Sequence, residues 1–212
     1  MKKILIPFLF LGGLLSAAPV NVSFVDGGYY GYGPYTINVN GANVQAMCMD
    51  DFLEVGGSWT ANKTVVNSSD LSNTYMEAQN FLGGSTRTIN NTTYTASQVY
   101  TAEAYLFNQL IQPQADRVNI QKAAWAVMDP SSLQDAANDH TIQTYITNAF
   151  NNLNFDTKYF AILSQTGVYS DQNNQEFMVS NTPEPASLAL FGSGILAFGF
   201  TLFLRRRKEG VA

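Results

Sequence analysis

Cys48 is the only cysteine among 212 residues, so the chain cannot form an internal disulfide. Three ordinary uses compete for it. It packs as a small buried hydrophobe, forms half of an intermolecular disulfide, or has no particular use. A second oddity lies downstream. On a helical wheel, Gln121 falls between Trp125 and Met128, with Val118, Ile120, Ala124 and Val127 filling the apolar arc. Asn119, Lys122 and Ala126 point the other way. A carboxamide on a buried face costs stability unless its polar atoms find partners. A satisfied structural glutamine is the plain reading of Gln121.

Other constellations are weaker. His140 is the only histidine, so neither a histidine-based zinc site nor a Ser-His-Asp arrangement can be assembled. It reads as an exposed helix residue. Asp50, Asp51 and Glu54 match no calcium loop, and the stretch from Asp171 to Glu176 lacks the glycine such a loop needs. No glycine-rich phosphate loop follows a strand and opens a helix. Metal and cofactor are therefore expected to be absent. A carboxylate pair for glycoside hydrolysis stays open, because its members need not be close in sequence. The tyrosines and Trp59 suit either core packing or a sugar-stacking surface.

The elements that must position these groups are strands, then helices, then strands. Residues 20–66 alternate apolar and polar between glycine-rich breaks. Tyr35 to Val39 alternates cleanly. In the next strand Val44, Ala46 and Cys48 share one face, with Met47 and Met49 on the other. Helices are predicted over 71–82, over 97–111 with Ser97 as N-cap, and from Asp116 through Met128, stopped by Pro130. A fourth opens at Ser131 or Ser132 and runs to Leu153. The polar stretch 85–96 forms a hairpin or loop. Strands return at 159–165 and 175–179. The expected class is α+β, an N-terminal β-rich barrel or sandwich packed with a helical part.

Both ends carry targeting signals. Met1-Lys2-Lys3, an apolar run over 4–15 and Ser16-Ala17-Ala18 read as a signal peptide, residues 1–17, cut by signal peptidase after Ala17. At the other end Pro183-Glu184-Pro185 breaks any helix, and residues 186–204 are an uncharged run of about 19 residues, expected to form a transmembrane helix. Arg205-Arg206-Arg207-Lys208 is a basic stop that stays cytoplasmic. Between the signals lies one domain, residues 18–182. From Ala18 to Pro185 the chain carries 5 basic against 15 acidic residues, a net charge of −10. That balance argues against a nucleic-acid partner.

The tail, residues 183–208, resembles the PEP-CTERM sorting signal of exosortase-processed bacterial proteins. The resemblance implies export, a transient inner-membrane-anchored precursor and cleavage near Pro183-Glu184-Pro185 by an exosortase-type enzyme. It implies an exopolysaccharide-producing bacterium and a mature protein at the cell envelope, surface or extracellular matrix.

Met47-Cys48-Met49-Asp50 at a strand end, with Ile120-Gln121-Lys122-Ala123-Ala124-Trp125 downstream, resembles the paired motifs of bacterial thioester domains, which are surface adhesin modules. Looser likeness extends to Gly33-Pro34-Tyr35, Trp59-Thr60-Ala61 and the stretch from Glu103 to Gln109. Asn119 stands where a threonine-like residue is common, and Ala124 replaces the usual branched residue. In that family a Cys and a Gln side chain condense with loss of ammonia. The resemblance implies a Cys48–Gln121 thioester, shielded by Trp125 and Met128, with Asp50 orienting nearby groups. A surface amine or hydroxyl, or exopolysaccharide, would attack the acyl carbon. The protein would then be no enzyme but a single-use electrophile. A non-covalent matrix or glycan-binding protein with an ordinary buried Cys48 is the alternative reading, and a secreted hydrolase a third.

Overall fold

The computed structural model describes residues 19–51, 56–78, 84–166 and 175–181. The chain divides into two units, with the boundary between Ser180 and Asn181. The predicted signal peptide and the sorting tail from Pro183 to Arg207 lie outside the described residues. Among the described residues no helix is long and apolar enough to cross a membrane.

The strands are β1 (Val20–Asp26), β2 (Tyr35–Val39), β3 (Ala42–Cys48), β4 (Ser58–Val65), β7 (Phe160–Gln165) and β8 (Phe177–Ser180). They close a barrel in the order β1-β2-β3-β8-β7-β4, with every neighbour antiparallel. Between β4 and β7 the chain inserts α1 (Tyr75–Ala78), the hairpin β5 (Thr86–Ile89) and β6 (Thr92–Thr95), then α2 (Ala96–Leu110), α3 (Arg117–Met128), α4 (Pro130–Ala136) and α5 (His140–Asn151). The α+β class holds and the β part is a barrel, but it is not N-terminal alone: β7 and β8, which follow the helices in sequence, complete it.

Side-chain alternation builds two cores. Ala46, Cys48, Ala161, Leu163, Phe177 and Val179 point into the barrel. Met47, Met49, Phe160, Ile162 and Met178 point outward into the core shared with the helices. Strands β3, β7 and β8 are therefore apolar on both faces where helices cover them. In β1, buried Val20 and Val22 flank exposed Asn21. The division of β3 into a Cys48 face and a Met47–Met49 face is as the sequence predicts.

The helices differ from expectation at their ends. Thr95, not Ser97, caps α2, and Thr95 and Gln98 form a reciprocal capping box. Asp116 caps α3 as expected. The fourth predicted helix is two helices. Asp129 closes α3 and caps α4, whose first residue is Pro130, so this proline starts a helix as well as stopping one. Asp139 then caps α5. The predicted helix over 71–82 is a turn followed by the short α1, and residues 79–83 lie outside the described ones. The stretch 85–96 is the β5–β6 hairpin. Asn90 and Asn91 both take positive φ at its turn, the geometry that two-residue hairpin loops favour. Ala126, expected to face outward, is 1% exposed. Helix α3 packs against α2, α4 and α5 as well as β3, so it is buried around most of its circumference.

The helical core holds two carboxylates. Glu176 is fully buried, and its side chain accepts hydrogen bonds from the Tyr75 backbone N–H (2.9 Å), the Tyr100 hydroxyl (2.7 Å) and the Ser164 hydroxyl. Burial pushes its carboxyl up to about 7, against the opposing pull of these donors. Glu103, on α2, is also fully buried, and neither carboxyl oxygen has a hydrogen-bond partner. Burial, then the charge of Glu176, drives its carboxyl well above the usual range.

Both groups hold protons in the native state that the unfolded chain releases, so stability should fall as pH rises. For Glu176 the window runs from about 4.5 to about 7. The full Glu176 contribution is about 3 kcal/mol at the standard conversion of pKa shift to free energy. Urea unfolding at a series of pH values should show this decline, and Glu176→Gln should flatten it. Above neutral pH, Glu103→Leu should stabilise the fold by about 1–3 kcal/mol, because it removes an unpaired buried carboxyl.

Candidate functional site

Cys48 is the last residue of β3, pairs with Phe177 on the neighbouring strand β8, and is fully buried. Its Sγ lies 2.7 Å from the Asp50 carbonyl oxygen and 2.5 Å from Gln175 Oε1, two acceptors that compete for its single proton. Burial pushes the thiol well above its ordinary pKa, and the neighbouring Asp50 charge adds to this. Trp125 works in the opposite direction, as a nearby donor, although its indole Nε1 completes no hydrogen bond. The thiol is therefore held in its protonated form.

Gln121 arrives on α3, which is packed against β3. It is fully buried, and its Nε2 donates to the Cys48 carbonyl oxygen at 2.5 Å. Its Oε1 has no hydrogen-bond partner. The carboxamide is thus half satisfied, which is costly for a buried polar group. The backbone of Gly33 lies close to that bare oxygen. A Cβ built on Gly33 would sit 3.1 Å from Gln121 Oε1 and 3.3 Å from Leu110 and Tyr35 side-chain carbons. Gly33 also takes φ +67° and is joined to Pro34 by a cis peptide bond.

Trp125 lies one turn beyond Gln121, half-buried, and packs against the barrel core. Its ring centroid is 5.8 Å from that of Tyr32, and the Lys122 ammonium sits 5.9 Å above the same tyrosine. Met128, the other expected shield, belongs to the helical core. Asp50 is 1% exposed. Its Oδ2 accepts the Glu176 backbone N–H at 2.9 Å, while the Met49 N–H donates to the Glu176 carbonyl at 2.9 Å. These two bonds fasten the end of β3 to the lead into β8.

The structure thus brings Cys48, Gln121, Asp50 and Trp125 to one place. The thiol's own polar partners are Asp50 and Gln175, and Gln121 meets the Cys48 backbone. Gln175 was not expected there. It lies 127 residues from Cys48, and a lone glutamine at the head of a strand carries no local signal. Glu103 did leave a trace, being a charge between Ala102 and Ala104 on an apolar helix. His140 is exposed at the start of α5. Among the described residues no three His, Cys, Asp or Glu side chains converge as a metal site. Trp59 faces the barrel interior and stacks on Phe177 with centroids 5.9 Å apart. Tyr29, Tyr30 and Tyr159 are exposed.

Beyond this unit, residues 181–208 match the PEP-CTERM protein-sorting motif. The chain carries an exosortase sorting signal. A PEP-CTERM tail implies export, membrane-associated processing by an exosortase and delivery to the cell surface. No curated protein and no solved structure matches the chain.

Gly33 supplies a direct check of the packing around Gln121. Gly33→Ala should destabilise the protein by more than Gly31→Ala in urea unfolding. Both glycines have positive φ, a conformation that costs about 1–2 kcal/mol for other residues. Only at Gly33 does the added carbon meet neighbours, since nothing lies within 4 Å of it at Gly31.

Proposed function

We propose that this exported PEP-CTERM protein attaches covalently to a surface partner through a thioester between Cys48 and Gln121. The observation that carries the reading is the bare Gln121 Oε1 on a fully buried carboxamide whose nitrogen touches the Cys48 backbone. A buried amide kept only half satisfied beside a buried thiol fits a group held for reaction better than one held for stability.

The chemistry balances as follows. The Cys48 S–H and the Gln121 C–N bonds break, a C–S bond forms, and the thiol proton leaves with the amide nitrogen as ammonia. An amine or hydroxyl of the partner later attacks the acyl carbon, and its proton ends on the Cys48 sulfur. The product is an amide or ester between residue 121 and the partner. Burial excludes water from the acyl carbon. The same burial disfavours a free thiolate, so the sulfur is a reluctant leaving group until a proton reaches it. Trp125 packs against the barrel core with the Tyr32 ring 5.8 Å from its own, and in this reading the pair shields the bond. The protein reacts once and is consumed, so it is not an enzyme.

A second reading is favoured by the thiol's hydrogen bonds to Asp50 and Gln175. In it Cys48 is an ordinary buried residue and the protein binds extracellular matrix or glycan without a covalent bond. The exposed Tyr29 and Tyr30 would offer rings for sugar stacking.

Intact mass of the full-length chain in detergent separates the two. The thioester reading expects the mass to be low by one ammonia, with no titratable thiol after unfolding. It expects methylamine to free the thiol and add its own mass. Cys48→Ala and Gln121→Glu should each remove the deficit. A full mass with one titratable thiol would sink the covalent reading and leave the binding one.

A further inference from the structure

The Cys48 thiol has a side-chain partner that the two paired motifs do not contain. Gln175 Oε1 is 2.5 Å from Sγ, and Gln175 is 6% exposed. We infer that Gln175 is a positioning residue for thioester closure, holding the Cys48 S–H so that sulfur meets the Gln121 carboxamide. This inference rests on the thioester reading.

A side chain fixes another only if it is itself fixed. Gln175 is followed by Glu176, which is held at both its backbone and its side chain. The Glu176 N–H bonds Asp50 Oδ2, and its carbonyl takes the Met49 N–H. Its carboxyl takes Tyr75 from α1, Tyr100 from α2 and Ser164 from β7. The next residue, Phe177, pairs directly with Cys48 across β3 and β8. Gln175 therefore leaves a clamped stretch of backbone beside the sulfur.

The thiol needs such a partner. The sulfur is fully buried, so it can reach the carboxamide only along a direction that its neighbours leave open. The single S–H proton has two acceptors within reach, Asp50 O and Gln175 Oε1, and the one it takes sets where the sulfur lone pairs point. Only Gln175 can be changed by substitution, because the other acceptor is backbone. A neutral amide does not keep the proton. In closure the proton travels out with ammonia, and Gln175 is unchanged.

Closure can be followed in the full-length chain. Ammonia opens the thioester and regenerates the Cys48 thiol and Gln121 carboxamide. Removing ammonia starts closure, read as loss of titratable thiol and of one ammonia in mass. Gln175→Met keeps the volume and removes the acceptor. Closure should slow by about tenfold or more, the scale expected when a reacting group loses its orientation. A cycle of melting temperatures tests for a merely structural role. In the Cys48→Ala background, Gln175→Met should leave the melting temperature unchanged, since the thiol is already gone. Equal closure rates in wild type and Gln175→Met would overturn the inference and leave the thioester reading intact. So would a drop in melting temperature as large in the Cys48→Ala background as in the wild type. If wild type never loses ammonia, the thioester reading fails and this inference fails with it.

Discussion

The Glu176 carboxyl joins parts of the molecule that are far apart in the chain. It accepts hydrogen bonds from α1, α2 and β7, while its backbone fastens β8 to the end of β3. Those contacts meet where the barrel interior and the helical core are separated only by strands. A carboxyl buried at such a place is costly if charged, so it stays protonated up to near-neutral pH. Glu103 sits in the same core with no hydrogen-bond partner. The charge of Glu176 adds to burial in raising its carboxyl.

The candidate site depends on that junction. β3 ends at Cys48, and its last residues must be held for the thiol to have a defined direction. Asp50 does this through Glu176, and Gln175 does it at the sulfur itself. On the opposite side α3 delivers Gln121 because the helix is enclosed by α2, α4, α5 and the barrel. Gly33 lets the β1–β2 connection pass close to the carboxamide, where a side chain would not fit without displacement. Thus four separate stretches of chain meet around one buried carboxamide and one buried thiol. An address signal follows at residues 181–208, outside this unit.

Much of the fold was legible because it depends on short-range physics. Alternation in β3 placed Cys48 and the methionines on opposite faces. Asp116 was readable as the cap of α3, since a cap acts within one turn. The polar stretch 85–96 read as a hairpin or a loop, and the β5–β6 pairing makes it the hairpin. Errors arose where two local signals compete. Pro130 stops one helix and starts the next, and only the Asp129 and Asp139 caps separate α4 from α5. Thr95 outcompeted Ser97 because Gln98 completes a reciprocal box with it. Ala126 was misplaced because a wheel assumes one buried face, and α3 is covered on several.

The sequence by itself determined the α+β order, the two faces of β3, the isolation of Cys48, the polar intrusion of Gln121 and the sorting tail. Each follows from residue type and spacing along at most a few turns. Only the tertiary structure decided that Gln175 lies against the thiol, that Asp50 is buried and that Glu103 and Glu176 share a core. Closing β8 between β3 and β7 brings these residues together, and that closure is set by pairings across the length of the domain. No local pattern encodes such a pairing, because its free energy comes from contacts that exist only once the barrel has closed.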